Sequence, residues 1–177
     1  YYRKKSAATT LCVDDISDDY IDRTSVLYST GITQSLSDSA REAVKKAFIT
    51  AKKKQCTTAY DPNYRARLWS IEEAKEAMEE ILEFTDIILL NIKHDAEKIL
   101  GLTSPDKIIK HLWDQGVQMV AVKMGKEGSM IGYNGEINHI PSCVTNIVDS
   151  SGAGDTFNGG FLQGIVSGHT PFESAKL

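Results

Sequence analysis

The residues of this chain best suited to chemistry sit together in Val148-Asp149-Ser150-Ser151-Gly152-Ala153-Gly154-Asp155-Thr156-Phe157-Asn158-Gly159-Gly160. Gly152, Ala153 and Gly154 impose few steric limits, Asp155 follows them, and an apolar helical pattern comes next. A glycine-rich turn that opens a helix leaves backbone N–H groups without intrahelical acceptors, at the positive end of the helix dipole. That geometry holds an anion. Asp155, in the first helical turn, then stands beside the bound anion. A phosphate on backbone amides next to a carboxylate points to phosphoryl transfer: the carboxylate takes the proton of an attacking hydroxyl, and the loop holds the charge that develops on the phosphoryl group. Two other phosphate loops are excluded by spacing. Phe157 occupies the place of the third glycine of Gly-x-Gly-x-x-Gly, and no Gly-Lys-Ser/Thr follows as in a Walker loop.

Strands and helices alternate along the rest of the chain, the pattern of a layered α/β fold with no domain boundary. Ser25 to Ser29 reads as a strand with Gly31 as the turn after it. Ser39 and Glu42 are spaced as a capping box for a helix whose apolar stripe is Ala40, Ala43, Val44, Ala47, Phe48 and Ala51. Lys52, Lys53 and Lys54 suit the negative end of that helix better than a phosphate site. Cys56 to Tyr60 is the next strand, ended by Asp61-Pro62-Asn63. Ser70 and Glu73 repeat the capping box, before a buried face of Ile71, Ala74, Ala77, Met78, Ile81 and Leu82. Ile87 to Leu90 is apolar throughout, as in a parallel strand covered on both faces. A short helix over 95–100 ends at Gly101, and Ser104-Pro105 opens another that Gly116 ends. Met119 to Lys123 is a strand, and Asn134-Gly135 marks a hairpin.

Composition narrows the class. The 177 residues are 41% hydrophobic with a net charge of -4, a soluble globular balance that argues against a nucleic-acid partner. No apolar run reaches bilayer length, which argues against a membrane partner. The three cysteines, Cys12, Cys56 and Cys143, are odd in number and far apart, and read as reduced thiols of a cytoplasmic protein. His94, His111, His139 and His169 lack metal-ligand spacing. The chain begins at Tyr1 and ends just after Thr170-Pro171-Phe172-Glu173, which reads as a helix start, so the expectation is an internal piece of a longer protein.

In open α/β sheets ligands bind beyond the carboxyl ends of the strands. Three stretches there carry candidates. Lys123-Met124-Gly125-Lys126-Glu127-Gly128 allows a tight turn close to a ligand or a plain hairpin connection. Asn91-Ile92-Lys93-His94 follows the apolar strand. Asp61-Pro62-Asn63-Tyr64-Arg65-Ala66-Arg67-Leu68-Trp69-Ser70 offers arginines, the side chains best suited to grip a carboxylate.

The Gly-Ala-Gly-Asp stretch resembles the C-terminal signature of the ribokinase-like (PfkB) sugar kinases, where that loop carries the anion hole and the catalytic base. The resemblance implies a three-layer α/β/α fold with a mostly parallel central sheet, one kinase domain over 1–177, and a site where ATP and sugar meet near Asp155. It places Lys123, Gly125 and Gly128 by the nucleotide phosphates, with Gly152 and Gly154, and keeps Asn91 as a nucleotide-site candidate. The family's Asn-x-x-Glu ends here in His94; Asp95 and Glu97 have the wrong spacing to replace the glutamate, and no metal ligand is assigned. Mg2+ is expected to ride on the ATP. A monovalent cation such as K+ lies near the family's equivalent of Asp149 and Ser151, although Asp149 reads equally as the cap of a turn.

Tyr1-Tyr2-Arg3-Lys4-Lys5-Ser6-Ala7-Ala8, Ser29-Thr30-Gly31-Ile32-Thr33 and the Asp61 to Ser70 string are similar to the 2-keto-3-deoxygluconate kinases of this family. The resemblance implies that Tyr1, Arg3 and Arg65 reach an acid sugar and that the full protein forms a homo-oligomer. Kinases of neutral sugars or nucleosides, and a non-catalytic sugar or nucleotide sensor on the same fold, stay open as alternatives; His94 favours the last.

Overall fold

A computed structural model of the chain describes residues 6–143, 146 and 148–177. Six strands form one sheet in chain order: β1 (Val26–Thr30), β2 (Thr57–Asp61), β3 (Ile87–Asn91), β4 (Met119–Lys123), β5 (Ser129–Tyr133) and β6 (Glu136–Ile140). The first four are parallel, and β5 and β6 fold back antiparallel. The helices are α1 (Asp18–Asp22), α2 (Gly31–Gln34), α3 (Asp38–Lys53), α4 (Ile71–Leu82), α5 (Pro105–Asp114), α6 (Ala153–Val166) and α7 (Pro171–Ser174), with a π-helix over Ile92–Leu100.

Strand alternation divides the core into two layers. Ile88 and Leu90 of β3 and Val120 and Val122 of β4 face Ile108, Ile109 and Leu112 of α5. Tyr60 of β2 joins the same side, against Val44 and Phe48 of α3 and Met78 and Ile81 of α4. Ala59, Ile87, Leu89 and Ala121 point the opposite way, toward Phe161 of α6 and Phe172 of α7. Sequential parallel strands joined by same-handed crossovers place α3, α4 and α5 on one face. The other face is left for α6, which begins with the anion-loop residues. The α/β/α expectation holds.

Local chemistry explains most boundaries. The Ser70–Glu73 capping box forms, with Glu73 N donating to Ser70 Oγ at 3.1 Å and Ser70 N to Glu73 Oε2 at 2.7 Å. A second box, Thr170 with Glu173, opens α7. Asn134 and Gly135 turn the β5–β6 hairpin with φ of 55° and 80°, as a two-residue primed turn requires. Three expectations shift. Helix α3 is capped by Ser37, whose Oγ accepts Ala40 N at 3.2 Å, and not by Ser39. The serines at 35, 37 and 39 all suit a cap, and Ala40, fully buried, must already lie in the first turn. Strand β2 ends at Asp61, one residue later than its apolar pattern, so Asp61 belongs to the sheet. The helix after β3 starts at Ile92 and has the wide π turn.

Lys52 pairs with Asp86, and Lys54 Nζ lies 3.4 Å from Asp22 Oδ1, so this lysine run is tied to neighbouring acids. No helix among the described residues is long and apolar enough to cross a membrane.

Candidate active site

Four residues end the parallel strands side by side. Thr30 pairs in register with Asp61, and Asn91 with Lys123. The strand period of two fixes which way they point. Asp61 lies two residues beyond Ala59 and Lys123 two beyond Ala121, and both alanines face α6. Tyr28, in register with Ala59, points to that side as well. Helix α6 meets them with Asn158, three residues after Asp155 and three before Phe161, along one stripe.

These side chains form a closed polar network. Lys123 Nζ donates to Asp61 Oδ2 at 2.7 Å and to Asn158 Oδ1 at 3.0 Å. Asn158 Nδ2 donates to the same Asp61 oxygen at 2.6 Å and to the Tyr28 hydroxyl at 3.0 Å. Asp61 Oδ1 accepts the Asn63 amide at 2.9 Å. Asp61, Lys123 and Asn158 are 2%, 9% and 1% exposed. A buried charge without a partner is expensive, and here opposite charges and an amide satisfy one another. Burial first, then the charge of Asp61, pushes the Tyr28 hydroxyl far above its ordinary range.

The network meets the anion loop at Gly154. A Cβ built on Gly154 would lie 3.7 Å from Lys123 Nζ. Gly152 caps α6 with φ 75°, a left-handed turn natural to glycine. The first intrahelical bond, Thr156 N to Gly152 O, spans 2.8 Å, and Ala153 N donates to Ser150 O at 3.2 Å. By helix geometry the amides of Gly154 and Asp155 have no acceptor within the helix. They therefore face outward beside the exposed Asp155 carboxylate. Asp149 Oδ1 accepts Ser151 N at 2.8 Å, the bond a turn cap makes. Hydrogen bonds from Ser151 hold the Asp149 carboxyl below its usual value.

Next to Lys123, Gly125 and Gly128 have φ of 63° and 91°. At Gly128 a Cβ would also strike Ile140 O at 2.1 Å, so this position has room for no side chain. Asn91 Oδ1 caps the π-helix, accepting Lys93 N at 3.0 Å and His94 N at 3.1 Å. His94 and Glu97 are exposed, whereas Asp95 is 2% exposed. Asp95 Oδ2 accepts Asn91 N at 2.7 Å and its Oδ1 accepts Tyr64 N at 2.8 Å. Burial first, then the charge of Asp61, raises the Asp95 carboxyl to about 6.

Arg65 is half-buried, with its Nε buried and unpartnered among the described residues; Arg67 is exposed. Tyr1 and Arg3 lie outside the described residues. The strings that contain them and Thr33 do approach each other: Ala7, Ala8 and Thr33 line one cleft of about 560 Å3. The sequence pattern alone gave no site role to Asp61, Asn158, Tyr28 or Asp95. A charge closing each of two buried strands, Asp61 on β2 and Lys123 on β4, was the available signal for the pair.

A cation beneath a glycine turn, outward amides at a helix start and a carboxylate beside them can bind a phosphate chain and accept a proton near it. No group of three or more His, Cys, Asp or Glu residues that could hold a metal ion occurs among the described residues.

The model of the pfkB family of carbohydrate kinases matches residues 1–177, and the chain belongs to that family. It is 34% identical to the 2-dehydro-3-deoxygluconokinase of Thermoproteus tenax over 100% of this chain and 54% of that protein. Identity to the 2-dehydro-3-deoxygalactonokinase of Haloferax volcanii is 32%, over 99% of this chain and 55% of that protein. The chain thus spans about half the length of these curated relatives. Among solved structures, the E. coli protein described as ribokinase II, in complex with ATP and Mg2+, superposes with a TM-score of 0.86 at 26% identity, over 97% of this chain and 55% of that one. The fold is ribokinase-like.

Proposed function

We propose that the protein carrying this chain transfers the terminal phosphoryl group of ATP to the primary hydroxyl of 2-keto-3-deoxygluconate or its galactonate epimer. The observation that carries this reading is the start of α6: a left-handed Gly152, outward amides at Gly154 and Asp155, and the buried ammonium of Lys123 behind Gly154. Asp155 accepts the proton of the attacking hydroxyl as its oxygen bonds to phosphorus and the bond to ADP breaks. The amides of the loop stabilise the charge on the transferring group. Mg2+ bound to the nucleotide neutralises part of the phosphate charge. Gly125 and Gly128, both with left-handed φ, let the β4–β5 backbone turn tightly where the nucleotide phosphates would pass.

The acid-sugar part rests on the names of the two relatives and on Arg65. A half-buried guanidinium whose Nε has no partner among the described residues suits a carboxylate, which takes the planar fork two bonds at a time. The free thiols of Cys12, Cys56 and Cys143 suit a reducing compartment, the cytoplasm.

The test is kcat/KM with ATP for both keto-deoxy acids, fructose and ribose, in the natural-length protein. The acids should be preferred by about tenfold or more, the worth of one charge-assisted bond. Preference for fructose would replace this reading with a neutral-sugar kinase. ATP binding with no sugar-dependent ADP release would make the protein a sensor.

A further inference from the structure

We propose that Asp61 is a positioning residue that couples the sugar loop to the anion loop, so that sugar and nucleotide bind cooperatively through Asp61, Lys123 and Asn158. The proposal rests on the kinase reading above for the identity of the two ligands. It goes beyond that reading in naming what links them.

The two oxygens of Asp61 serve different loops. Oδ1 holds the amide of Asn63, two residues before Arg65. Asn63 has φ 40°, a left-handed conformation that a non-glycine residue keeps only when its surroundings hold it there. The amide of Tyr64 is fixed separately by Asp95. Thus both residues between Pro62 and Arg65 are tethered by buried carboxylates, and the path of the backbone into Arg65 is set by them. Oδ2 of Asp61 holds the other partners, Lys123 Nζ and Asn158 Nδ2. Asn158 belongs to the helix whose first turn carries Asp155, and Lys123 lies beside Gly154.

An anion on the loop attracts the Lys123 ammonium, which shares its charge between Asp61 and the loop. Any change in that sharing alters the carboxylate that fixes Asn63. In the reverse direction, an acid sugar on Arg65 settles the 61–65 loop, and with it the position of Lys123. Linkage makes the two effects equal: each ligand tightens the other by the same factor.

The experiment measures binding of the sugar by calorimetry in the natural-length protein, with and without the non-hydrolysable analogue AMP-PNP with Mg2+. The sugar is 2-keto-3-deoxygluconate if the parent phosphorylates it, and otherwise whichever of fructose and ribose the parent turns over. Failure of the acid-sugar reading and failure of the coupling are therefore seen separately. In the parent the analogue should tighten sugar binding by about tenfold, within the usual range for coupled sites. In the double variant Asp61→Asn/Lys123→Met the factor should fall to about twofold or less. Asn158→Ala, which leaves the ion pair in place, should give an intermediate factor and serves alone if the double variant does not fold. A merely structural role would weaken both ligands yet keep the factor. An unchanged factor in the variants, or no coupling in the parent, overturns the proposal.

Discussion

Asp95 and Asp149 each accept a backbone amide, yet their carboxyls move in opposite directions. Asp95, beneath the strand ends, is raised to about 6 because burial and the neighbouring Asp61 outweigh its two amide bonds. Asp149, fully exposed in the anion loop, is lowered because its bonds with Ser151 act with little burial to oppose them. The same contrast runs through the two regions. The network of Asp61, Lys123 and Asn158 is closed on itself, with its charges matched internally. The loop from Asp149 to Asp155 is exposed and uses short-range bonds only to hold its own turn. One region holds its charges in place, and the other leaves the turn and the carboxylate of Asp155 exposed.

Cutting the closed region should cost most in stability. Lys123→Met leaves the Asp61 carboxylate buried without its cation and should destabilise the protein by about 3–5 kcal/mol in urea unfolding. Adding Asp61→Asn should restore part of that loss, because the second change removes the unpaired charge. A double variant as unstable as the sum of the singles would show that the two residues do not act as a pair. In the open region, Asp155→Asn should leave stability nearly unchanged while lowering kcat by a factor on the order of 10² or more. The substitution keeps size and polarity but removes the proton acceptor. Turnover near the parent rate would remove Asp155 from the role of base.

The open region was the more legible in the sequence, for a physical reason. A helix-opening glycine turn and a first-turn acid are local features, so the places of Gly152 and Asp155 in the turn could be read from their neighbours alone. The glycine turn at Gly125 and Gly128, the Ser70 capping box and the Asn134-Gly135 hairpin are local in the same sense. The layered fold was also legible, because apolar strands such as Ile87 to Leu90 alternate with amphipathic helices. The closed network depends on contacts 35 to 130 residues apart in the chain. No local pattern reveals them: Asp61 looked like a turn residue because its strand runs one residue past its apolar pattern. Asp95 was set aside because it stands one place past the Asn-x-x-Glu position, yet in the π-helix it, and neither His94 nor Glu97, is buried beneath the strand ends.

Between the two regions lies the 61–70 loop, and its two arginines sharpen the comparison. Arg65→Ala should lower kcat/KM for the acid sugar by about ten- to a hundredfold, as loss of a charge-assisted bond predicts. Its effect on a neutral sugar should be much smaller. Arg67, exposed to solvent, is the control, and Arg67→Ala should change either sugar by less than about twofold. Equal losses on both sugars in Arg65→Ala would give the arginine a structural role.

The smallest effect is the pH dependence that Asp95 adds to stability. Its ordinary value of 3.8 is raised to about 6 in the fold, by burial first and by Asp61 second, with the amides of Asn91 and Tyr64 and the charge of Lys123 opposing. Tyr60, on the strand beside it, also senses its charge. Between about pH 4 and pH 6 the folded protein keeps a proton that the unfolded chain has released. Stability must then fall as pH rises through that window and stay level above it. Asp95→Asn removes the titration, so the comparison is the gap between parent and variant in urea unfolding at pH 4.5 and pH 7. Relative to the variant, the parent should be more stable at pH 4.5 than at pH 7, by an amount on the order of 1 kcal/mol. Groups such as Asp149, whose carboxyl is lowered, push the other way but do so equally in both proteins, and cancel from the gap. A gap that stays constant would mean that Lys123 and the two amides keep Asp95 ionised at pH 4.5. The buried region would then hold its charges as firmly as the open loop holds the carboxylate of Asp149.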